Sequence, residues 1–344
     1  MVKKEPNGPI YNEQVLVMYQ KFSIAVFSLL MFTLACKQDS KSVDKKDQPV
    51  ESIQYPKFSK DSAYKFVKNQ IDFSPRIPNT PAHVKCAAWF AETFRRFGAE
   101  VIEQKFQVRA FDGTLLNGNN IIAQYNVQAK RRILLAAHWD TRPWADSEPD
   151  AANKKKQFDS ADDGPSGVGV LLELARLLQE HPLKNIGVDI VLFDLEDYGT
   201  EGNDKSWGLG SQYWSANLHY KHSKAEYGIL LDMVGGSNPG FYTEDFSVYY
   251  AREIVEKVWN LADAMGYAAY FPKTSGGGTI DDHYFVNTIA KIKMIDIINR
   301  PDGKRFPHYH HTLKDNMNVI DPNTLNMVGR LMVKLIYQEE AGIF

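Results

Sequence analysis

Apolar residues recur along the chain with two different spacings. In some stretches they return every three or four positions, which is the period of an amphipathic helix, and in others they form short runs typical of buried strands. The predicted helices cover residues 59–72, 81–97, 168–180, 208–217, 248–266 and 322–337. The predicted strands cover residues 101–108, 119–125, 132–137, 188–195, 227–234 and 290–298.

This alternation of strands and helices predicts an α/β protein, because a strand that is buried on both faces needs helices to cover it. We expect a three-layer sandwich around a central, mostly parallel, mixed sheet. Neither an internal repeat nor a change of composition interrupts residues 58–344, so they are predicted to form a single domain. The chain has 344 residues, of which 44% are hydrophobic, and this is enough for a substantial core.

The N-terminal part of the chain has a different composition. Lys21 precedes an apolar run that begins at Phe22 and ends at Leu34-Ala35-Cys36. This layout is typical of a secretory signal, and the run is too short to form a stable spanning helix. Its end resembles a bacterial lipobox, in which the cysteine becomes the lipidated N-terminus, although a plain signal or an uncleaved anchor would also export the protein. We expect an export signal over residues 1–36 and a flexible polar tether over 37–57. A lipid on Cys36 would hold the exported protein in the periplasm or cell envelope.

Charge and cysteine content narrow the range of partners. The net charge is −2, with both signs interspersed, whereas a nucleic-acid-binding protein would show a basic stripe or patch. We expect no nucleic-acid partner, membrane contact only through the N-terminal anchor, and a monomer. Once Cys36 carries a lipid, Cys86 is the remaining cysteine, so no intrachain disulfide can form. The helical spacing around Cys86 predicts a small, buried core residue.

Residues with catalytic or metal-binding side chains collect where the predicted strands end. In open α/β sheets, ligands bind beyond the carboxyl ends of the strands. The groups at that edge are His138-Trp139-Asp140, Asp159–Asp163, Glu196-Asp197, Asp232 and His308–His311. Taken singly, each could cap a helix or satisfy a contact in the core. Together they supply histidines and carboxylates, which are the ligands of a catalytic zinc ion.

The order of the motifs resembles that of the zinc aminopeptidase-like hydrolases. The motifs are His138-Trp139-Asp140, Asp163-Gly164-Pro165-Ser166-Gly167, Glu196-Asp197, Leu230-Leu231-Asp232, Asp282-His283-Tyr284-Phe285 and His311-Thr312-Leu313-Lys314-Asp315-Asn316. The resemblance extends over roughly residues 58–340. It implies the zinc aminopeptidase-like fold, which agrees with the sandwich predicted from the apolar pattern.

Two activities occur on that scaffold: aminopeptidases with two zinc ions, and glutaminyl-peptide cyclotransferases that use one. Glu196-Asp197 stands where aminopeptidases usually have two glutamates, and Asp281 stands where they usually have a serine. Both departures favour a cyclotransferase. His310 occupies a place where animal cyclotransferases have tryptophan, which favours a bacterial-type member.

The resemblance also implies a role for each candidate residue. The implied ligands of a single zinc ion are Asp163, Asp197 and His311. The implied catalytic residues are Glu196, Asp232 and Asp281. The residues implied for a second metal ion, or for support of the first, are His138 and Asp140. The candidates for the walls of a substrate pocket are Trp139, Trp144, Trp207 and His310.

We therefore expect a zinc-dependent acyltransferase that cyclises the N-terminal glutamine of peptides and proteins to pyroglutamate and releases ammonia. Glu196 would accept a proton from the attacking α-amine and give one to the departing ammonia, a role that suits a carboxylate beside the metal rather than on it. Asp232 and Asp281 would form a pair that shares a proton. One alternative is a zinc aminopeptidase, in which the same glutamate activates water. The other is a non-catalytic lipoprotein that keeps the fold for binding.

Overall fold

In the computed structural model, which describes residues 53–344, six strands form one sheet. The strands are β1 (Glu100–Arg109), β2 (Leu115–Tyr125), β3 (Arg131–His138), β4 (Ile186–Phe193), β5 (Tyr227–Asp232) and β6 (Met294–Ile298). They lie in the order β1-β2-β4-β3-β5-β6. β4, β3, β5 and β6 run parallel to their neighbours, whereas β2 is antiparallel to both β1 and β4. The prediction of a mostly parallel, mixed sheet is confirmed.

Helices cover both faces of the sheet and complete three layers. They are α1 (Lys60–Ile71), α2 (Pro81–Arg96), α3 (Pro165–Glu180), α4 (Leu209–Ala216), α5 (Asp245–Ala264), α6 (Asp282–Phe285) and α7 (Pro322–Glu340). One face, with Ile133 and Leu135 of β3, packs against α1, α2, α3, α5 and α7. The other face, with Leu134 and Ala136, packs against α4 and the turn after α6. Side chains of β3 thus alternate between two apolar cores, as expected for a strand buried on both faces.

Local signals in the sequence explain where several helices begin. The Ser59 hydroxyl accepts from the backbone N–H of Ser62 at 3.2 Å and caps α1. Thr80 caps α2 in the same way, with Pro81 at the first helical position. Such caps satisfy backbone donors that have no partner within the helix. Cys86, in α2, is fully buried, as its helical spacing predicted.

Several predicted boundaries differ from the structure by a few residues, and two of these differences have a local cause. The strand predicted over 290–298 begins only at Met294, because Ala290 ends a π-helical turn over Val286–Ala290 and residues 291–293 connect that turn to the strand. The helix predicted over 248–266 begins at Asp245, because the Glu244 carboxylate accepts from the backbone N–H groups of Phe246 and Ser247. A short apolar run does not distinguish a strand from a buried turn by its periodicity.

The close approach of α3 to the sheet brings the start of that helix to the edge where β3 and β5 end. A Cβ atom on Gly167 would lie 2.2 Å from the carbonyl oxygen of Leu231, so only glycine allows this contact. A Cβ atom on Gly164 would lie 2.9 Å from the His138 ring. The D-x-x-S-G motif therefore places Asp163 directly beside the ends of the parallel strands.

The predicted export signal, with Cys36, and residues 37–52 of the predicted tether lie outside the described residues. The lipid anchor, the cell-envelope location and the monomeric state stay predictions. Among the described helices, none combines the length and the apolar content needed to cross a membrane.

Candidate active site

The loops that follow the parallel strands bring the predicted ligands together. His138 ends β3, Asp197 follows β4, Asp163 precedes α3, and His311 lies in the long loop after β6. His311 Nε2 lies 3.0 Å from Asp197 Oδ1 and 3.3 Å from Asp163 Oδ2. Ligand atoms about 2.0–2.1 Å from a tetrahedral zinc ion lie about 3.3 Å from each other. Both carboxylates therefore lie at the distance from His311 that two ligands of one zinc ion have from each other.

Two buried carboxylate oxygens of the proposed ligands lack a hydrogen-bond partner among the described residues. Within residues 53–344, neither Asp163 Oδ2 nor Asp197 Oδ2 accepts a hydrogen bond, although both atoms are buried. Burying an unpaired carboxylate oxygen is costly unless a charge of opposite sign offsets it. A divalent cation beside these oxygens would offset that cost, so the residues fit a bound zinc ion.

The loops that carry the site contain strained backbone. Four non-glycine residues have positive φ angles: 52° at Ser160, 59° at Leu195, 49° at Met233 and 54° at His311. Each either is a candidate residue or lies within three positions of one. Such conformations cost about 1–3 kcal/mol each and persist where the surrounding structure enforces them, most often at functional sites.

Two buried aspartates hold these loops by accepting backbone hydrogen bonds. Asp140 accepts from the N–H groups of Glu196 and Asp197, at 3.0 and 3.2 Å. Asp315 accepts from three consecutive N–H groups, those of residues 161–163, at 2.8–3.2 Å. The structure thus assigns Asp140 to the support of the Glu196-Asp197 turn. Sequence reasoning missed the role of Asp315, although the H-T-x-x-D-N motif contains it.

Glu196 lies beside the three proposed zinc ligands but is not one of them. Its side chain is buried, and this burial, together with the negative charges of Asp281 and Asp197, raises the pKa of Glu196 well above its usual range. A carboxylate whose pKa is raised takes up a proton more readily than an ordinary carboxylate, as a group that accepts and returns protons must. The adjacent residues Glu196 and Asp197 therefore meet different surroundings although they share one turn.

His138 contacts three carboxylates. Its Nε2 lies 2.9 Å from Asp163 Oδ1 and 3.5 Å from Asp232 Oδ1, and its Nδ1 lies 3.5 Å from Asp140 Oδ1. One potential ligand atom each from His138, Asp163 and Asp232 lies within 4.8 Å of the others. The geometry thus provides for a second cation with Asp163 between the two positions. Asp140 faces the opposite edge of the His138 ring and is not part of that group.

Asp232 and Asp281 are both buried near this group. Burial, opposed by the contact with His138 and reinforced by the charges of Asp163 and Asp281, raises the pKa of Asp232 to about 7. Asp281 Oδ1 accepts from the Asp282 N–H, and Asp281 Oδ2 accepts no hydrogen bond within residues 53–344. Burial also raises the pKa of Asp281. A proton shared between the two carboxyls stays a prediction.

Beside Asp281, His283 Nε2 lies 2.9 Å from a Glu244 carboxylate oxygen, and both side chains are buried. Although burial alone would raise it, the pKa of Glu244 falls from 4.5 to about 2, because His283 and backbone N–H groups stabilise the ionised form. A lowered folded-state pKa stabilises the fold above the unfolded value, and this contribution is lost as the pH falls from 4.5 towards 2. For zinc-free protein, we expect Glu244→Gln to lower the free energy of unfolding by about 3 kcal/mol at pH 6, and by much less at pH 3.

Urea unfolding at the two pH values measures this difference. Glu256→Gln, which changes an exposed glutamate of the same helix, should have little effect at either pH. A loss of stability that is equal at pH 6 and pH 3 would contradict an ionised Glu244.

A cleft of about 530 Å³ opens above the ligands. Trp207 and His310, two of the candidates for the walls of a substrate pocket, line it together with Phe306. The His310 ring stacks on His311, with 3.6 Å between ring centroids. Burial, with the positive charge of His311, lowers the pKa of His310 to about 3, so its ring is neutral. The cleft thus has an aromatic wall over an acidic floor.

The other two tryptophans do not line this cleft, and their predicted place was wrong. Trp139 is fully buried and stacks on His83 at 4.4 Å between ring centroids. Successive side chains of an extended chain point to opposite sides, so His138 and Asp140 face the site while Trp139 faces the core. Trp144 packs against Tyr198 and lies behind the Arg142 guanidinium, which separates it from the cleft.

Comparison with known proteins identifies the family. Residues 120–336 match the model of peptidase family M28. The chain belongs to peptidase family M28. Among solved structures, Porphyromonas gingivalis glutaminyl cyclase is 49% identical to it, with a TM-score of 0.79 over 82% of this chain and 99% of that chain. A leucine aminopeptidase precursor from Bacteroides thetaiotaomicron is 47% identical, with a TM-score of 0.80 over 83% and 99%.

A curated relative of this M28 protein is a glutaminyl-peptide cyclotransferase from Drosophila melanogaster. It is 26% identical over 286 residues, which is 77% of each chain. The similarity to zinc aminopeptidase-like hydrolases, deduced from six short motifs, is confirmed. The predicted fold class is confirmed with it.

Proposed function

We propose that this M28 protein is a zinc-dependent glutaminyl-peptide cyclotransferase. It converts N-terminal glutamine of peptides and proteins to pyroglutamate and releases ammonia. The observation that carries the proposal is that two adjacent carboxyls have different surroundings. Asp197 lies against His311, while the pKa of Glu196 is raised well above its usual range. The glutaminyl cyclases among the similar structures support it.

One zinc ion per chain would be held by Asp163, Asp197 and His311. When bound there, zinc supplies Lewis-acid chemistry that polarises the γ-amide carbonyl of the substrate glutamine. The neutral ring of His310, stacked on His311, adds no positive charge that would repel the cation.

Glu196 moves the protons of the reaction. The α-amine nitrogen of the substrate forms a bond to the side-chain carbonyl carbon, Cδ, and Glu196 takes a proton from that nitrogen. Glu196 then gives a proton to the amide nitrogen, whose bond to Cδ breaks as ammonia leaves. A carboxyl with a raised pKa suits both transfers, since it accepts the amine proton more readily than an ordinary carboxylate and can then donate it to the leaving nitrogen.

The cleft walls select the substrate and orient it. Trp207, Phe306 and His310 form walls against which the glutamine side chain can pack. Because the nucleophile belongs to the same molecule as the carbonyl, holding the chain in a bent conformation supplies most of the required proximity. Asp232 and Asp281, sharing a proton, would limit the negative charge around Glu196.

A zinc aminopeptidase is the second candidate, and one observation favours it. His138, Asp163 and Asp232 place potential ligand atoms within 4.8 Å of one another, which would suit the second ion of a two-zinc hydrolase. The similar structure described as a leucine aminopeptidase precursor points the same way. In that reaction Glu196 would take a proton from water instead of from the substrate amine.

Mass spectrometry of two peptides decides between these reactions. With zinc-loaded protein, we expect a Gln-initiated peptide to lose the mass of ammonia while every peptide bond stays intact. A Leu-initiated peptide of otherwise identical sequence should remain unchanged. N-acetylated Gln peptide is the control, because it has no free α-amine and should not react. Release of free leucine without any pyroglutamyl product would replace the proposal with the aminopeptidase.

A further inference from the structure

Arg142 is a buried cation in the wall of the catalytic cleft. Its side chain forms a forked ion pair with Asp146: Nε donates to Oδ1 at 2.8 Å and Nη2 donates to Oδ2 at 2.5 Å. A planar guanidinium makes such paired hydrogen bonds, whereas a lysine ammonium cannot reproduce their geometry. The motifs that identify the family do not include either residue.

The third nitrogen of Arg142 reaches the turn that carries the base and one proposed zinc ligand. Nη1 donates to the carbonyl oxygen of Asp197 at 2.8 Å and to that of Gly199 at 3.2 Å. The N–H groups of Glu196 and Asp197 are already held by Asp140. Arg142 therefore holds the far side of the same turn.

Asp146 connects the pair to a second ligand. Its Oδ1 lies 3.8 Å from His311 Nδ1, the ring nitrogen that faces away from the other proposed ligands. The N–H of the next residue, Ser147, donates to the His311 carbonyl oxygen at 3.1 Å. A negative charge behind a metal-binding histidine orients the ring and strengthens its binding.

The Arg142 guanidinium also contacts two aromatic rings. Its central carbon lies 5.0 Å from the ring centre of Trp207 and 5.3 Å from that of Trp144. Trp207 lines the cleft, and Trp144 does not. One side chain thus touches the Asp197 turn, the carboxylate behind His311 and an aromatic wall of the cleft.

We infer that Arg142 and Asp146 are positioning residues that set the geometry of two zinc ligands, Asp197 and His311, and of the Trp207 wall. The inference rests on the ligand set of the proposed function. Arg142 acts through these neighbours and not through contact with the substrate.

The chain contains a close structural match for a control. Arg132, near the start of β3, is also buried and makes the same fork, with Nε and Nη2 donating to Asp189 at 2.8 and 2.6 Å. Its remaining bonds go to backbone carbonyl oxygens, as those of Arg142 do. Arg132 lies at the opposite end of the strand from His138 and does not contact the site.

The experiment compares Arg142→Lys with Arg132→Lys. Both substitutions keep the charge and lose the fork, so we expect similar decreases in the melting temperature of the zinc-free protein. Only Arg142→Lys should weaken zinc binding, by about 10–100-fold, the effect typical of a lost partner of a metal ligand. Competition with a colorimetric chelator measures zinc affinity without any substrate. Asp146→Asn, at a half-exposed position, should also weaken zinc binding and serves if Arg142→Lys does not fold.

Unchanged zinc affinity in Arg142→Lys, with a loss of stability equal to that of Arg132→Lys, would overturn the inference and leave Arg142 a structural residue. If Arg142→Lys does not fold, unchanged affinity in Asp146→Asn would overturn it instead. Failure of wild-type protein to cyclise Gln peptides, with zinc affinity still reduced in the variant, would contradict the proposed reaction and keep the positioning role. The two failures are therefore distinguishable.

Discussion

Glu196→Gln is expected to lower kcat for cyclisation of a Gln-initiated peptide by about 10²–10⁴-fold, the usual contribution of general acid–base catalysis. The amide keeps the size of the side chain but can neither accept the proton of the attacking amine nor return one to the leaving ammonia. Zinc content should stay at the wild-type level, because Glu196 is not one of the three proposed ligands. Single-turnover kinetics and elemental analysis of dialysed protein measure the two quantities.

Glu201→Gln is the matched control for this substitution. Glu201 lines the same cleft five positions further along the chain, but its side chain is exposed. We expect near wild-type kcat in this variant, since an exposed carboxylate is not held against the proposed zinc ligands, where the protons move. If Glu196→Gln loses its zinc, the ligand and the base have been assigned the wrong way round.

Asp197→Asn is expected to abolish both zinc binding and activity, in contrast to the change at the neighbouring residue. Asp197 Oδ1 lies 3.0 Å from His311 Nε2, and a neutral amide oxygen is a poor replacement for a carboxylate ligand. We expect zinc affinity to fall by more than about 100-fold, beyond the effect of losing a residue that only supports a ligand. Without zinc, the variant should be less stable than wild type, because it removes the carboxylate that pairs with His311 in the buried site.

Thermal unfolding with and without added zinc tests this expectation. Zinc should raise the melting temperature of wild type, because it binds the folded state, and should leave that of Asp197→Asn unchanged. Asp204→Asn, at an exposed position of the cleft rim, should respond to zinc as wild type does. Retention of zinc by Asp197→Asn would remove Asp197 from the ligand set. Absence of zinc binding by wild type would favour a non-catalytic lipoprotein.

Much of the fold follows from local patterns in the sequence. The apolar pattern predicted all six strands of the described sheet. The parallel strands β3–β6 gave the clearest signal, because they are buried on both faces and apolar along most of their length, whereas β1 lies at an edge and is partly exposed. The strand predicted over 290–298 started too early because Ala290, Ile292 and Met294 alternate with lysines, as side chains of a strand do, although β6 begins only at Met294. The position of Cys86 in the core was predictable for a similar reason, since helical spacing marks the buried face.

The sequence predicted which residues form the candidate site but not how they are arranged. The Trp139 side chain points into the core, opposite to the side chains of His138 and Asp140, although the three residues form one motif in the sequence. The positive φ of Leu195 turns the chain between β4 and Glu196, and no local propensity of leucine predicts that conformation. Arg142 was missed because its partners, Asp146, Asp197 and Trp207, are separated from it by up to 65 positions and meet only in the folded chain.

The sequence by itself determined which side chains follow the carboxyl ends of the parallel strands, because the strand period and the short connections are local properties. It also determined the family, through the order of its motifs. Only the tertiary structure decided how the adjacent carboxyls Glu196 and Asp197 differ. The pKa of Glu196 depends on burial and on the negative charges of Asp281 and Asp197, whereas Asp197 meets His311 because Asp140 and Arg142 hold the turn. Those interactions act through space, so they are set by packing and not by position along the chain.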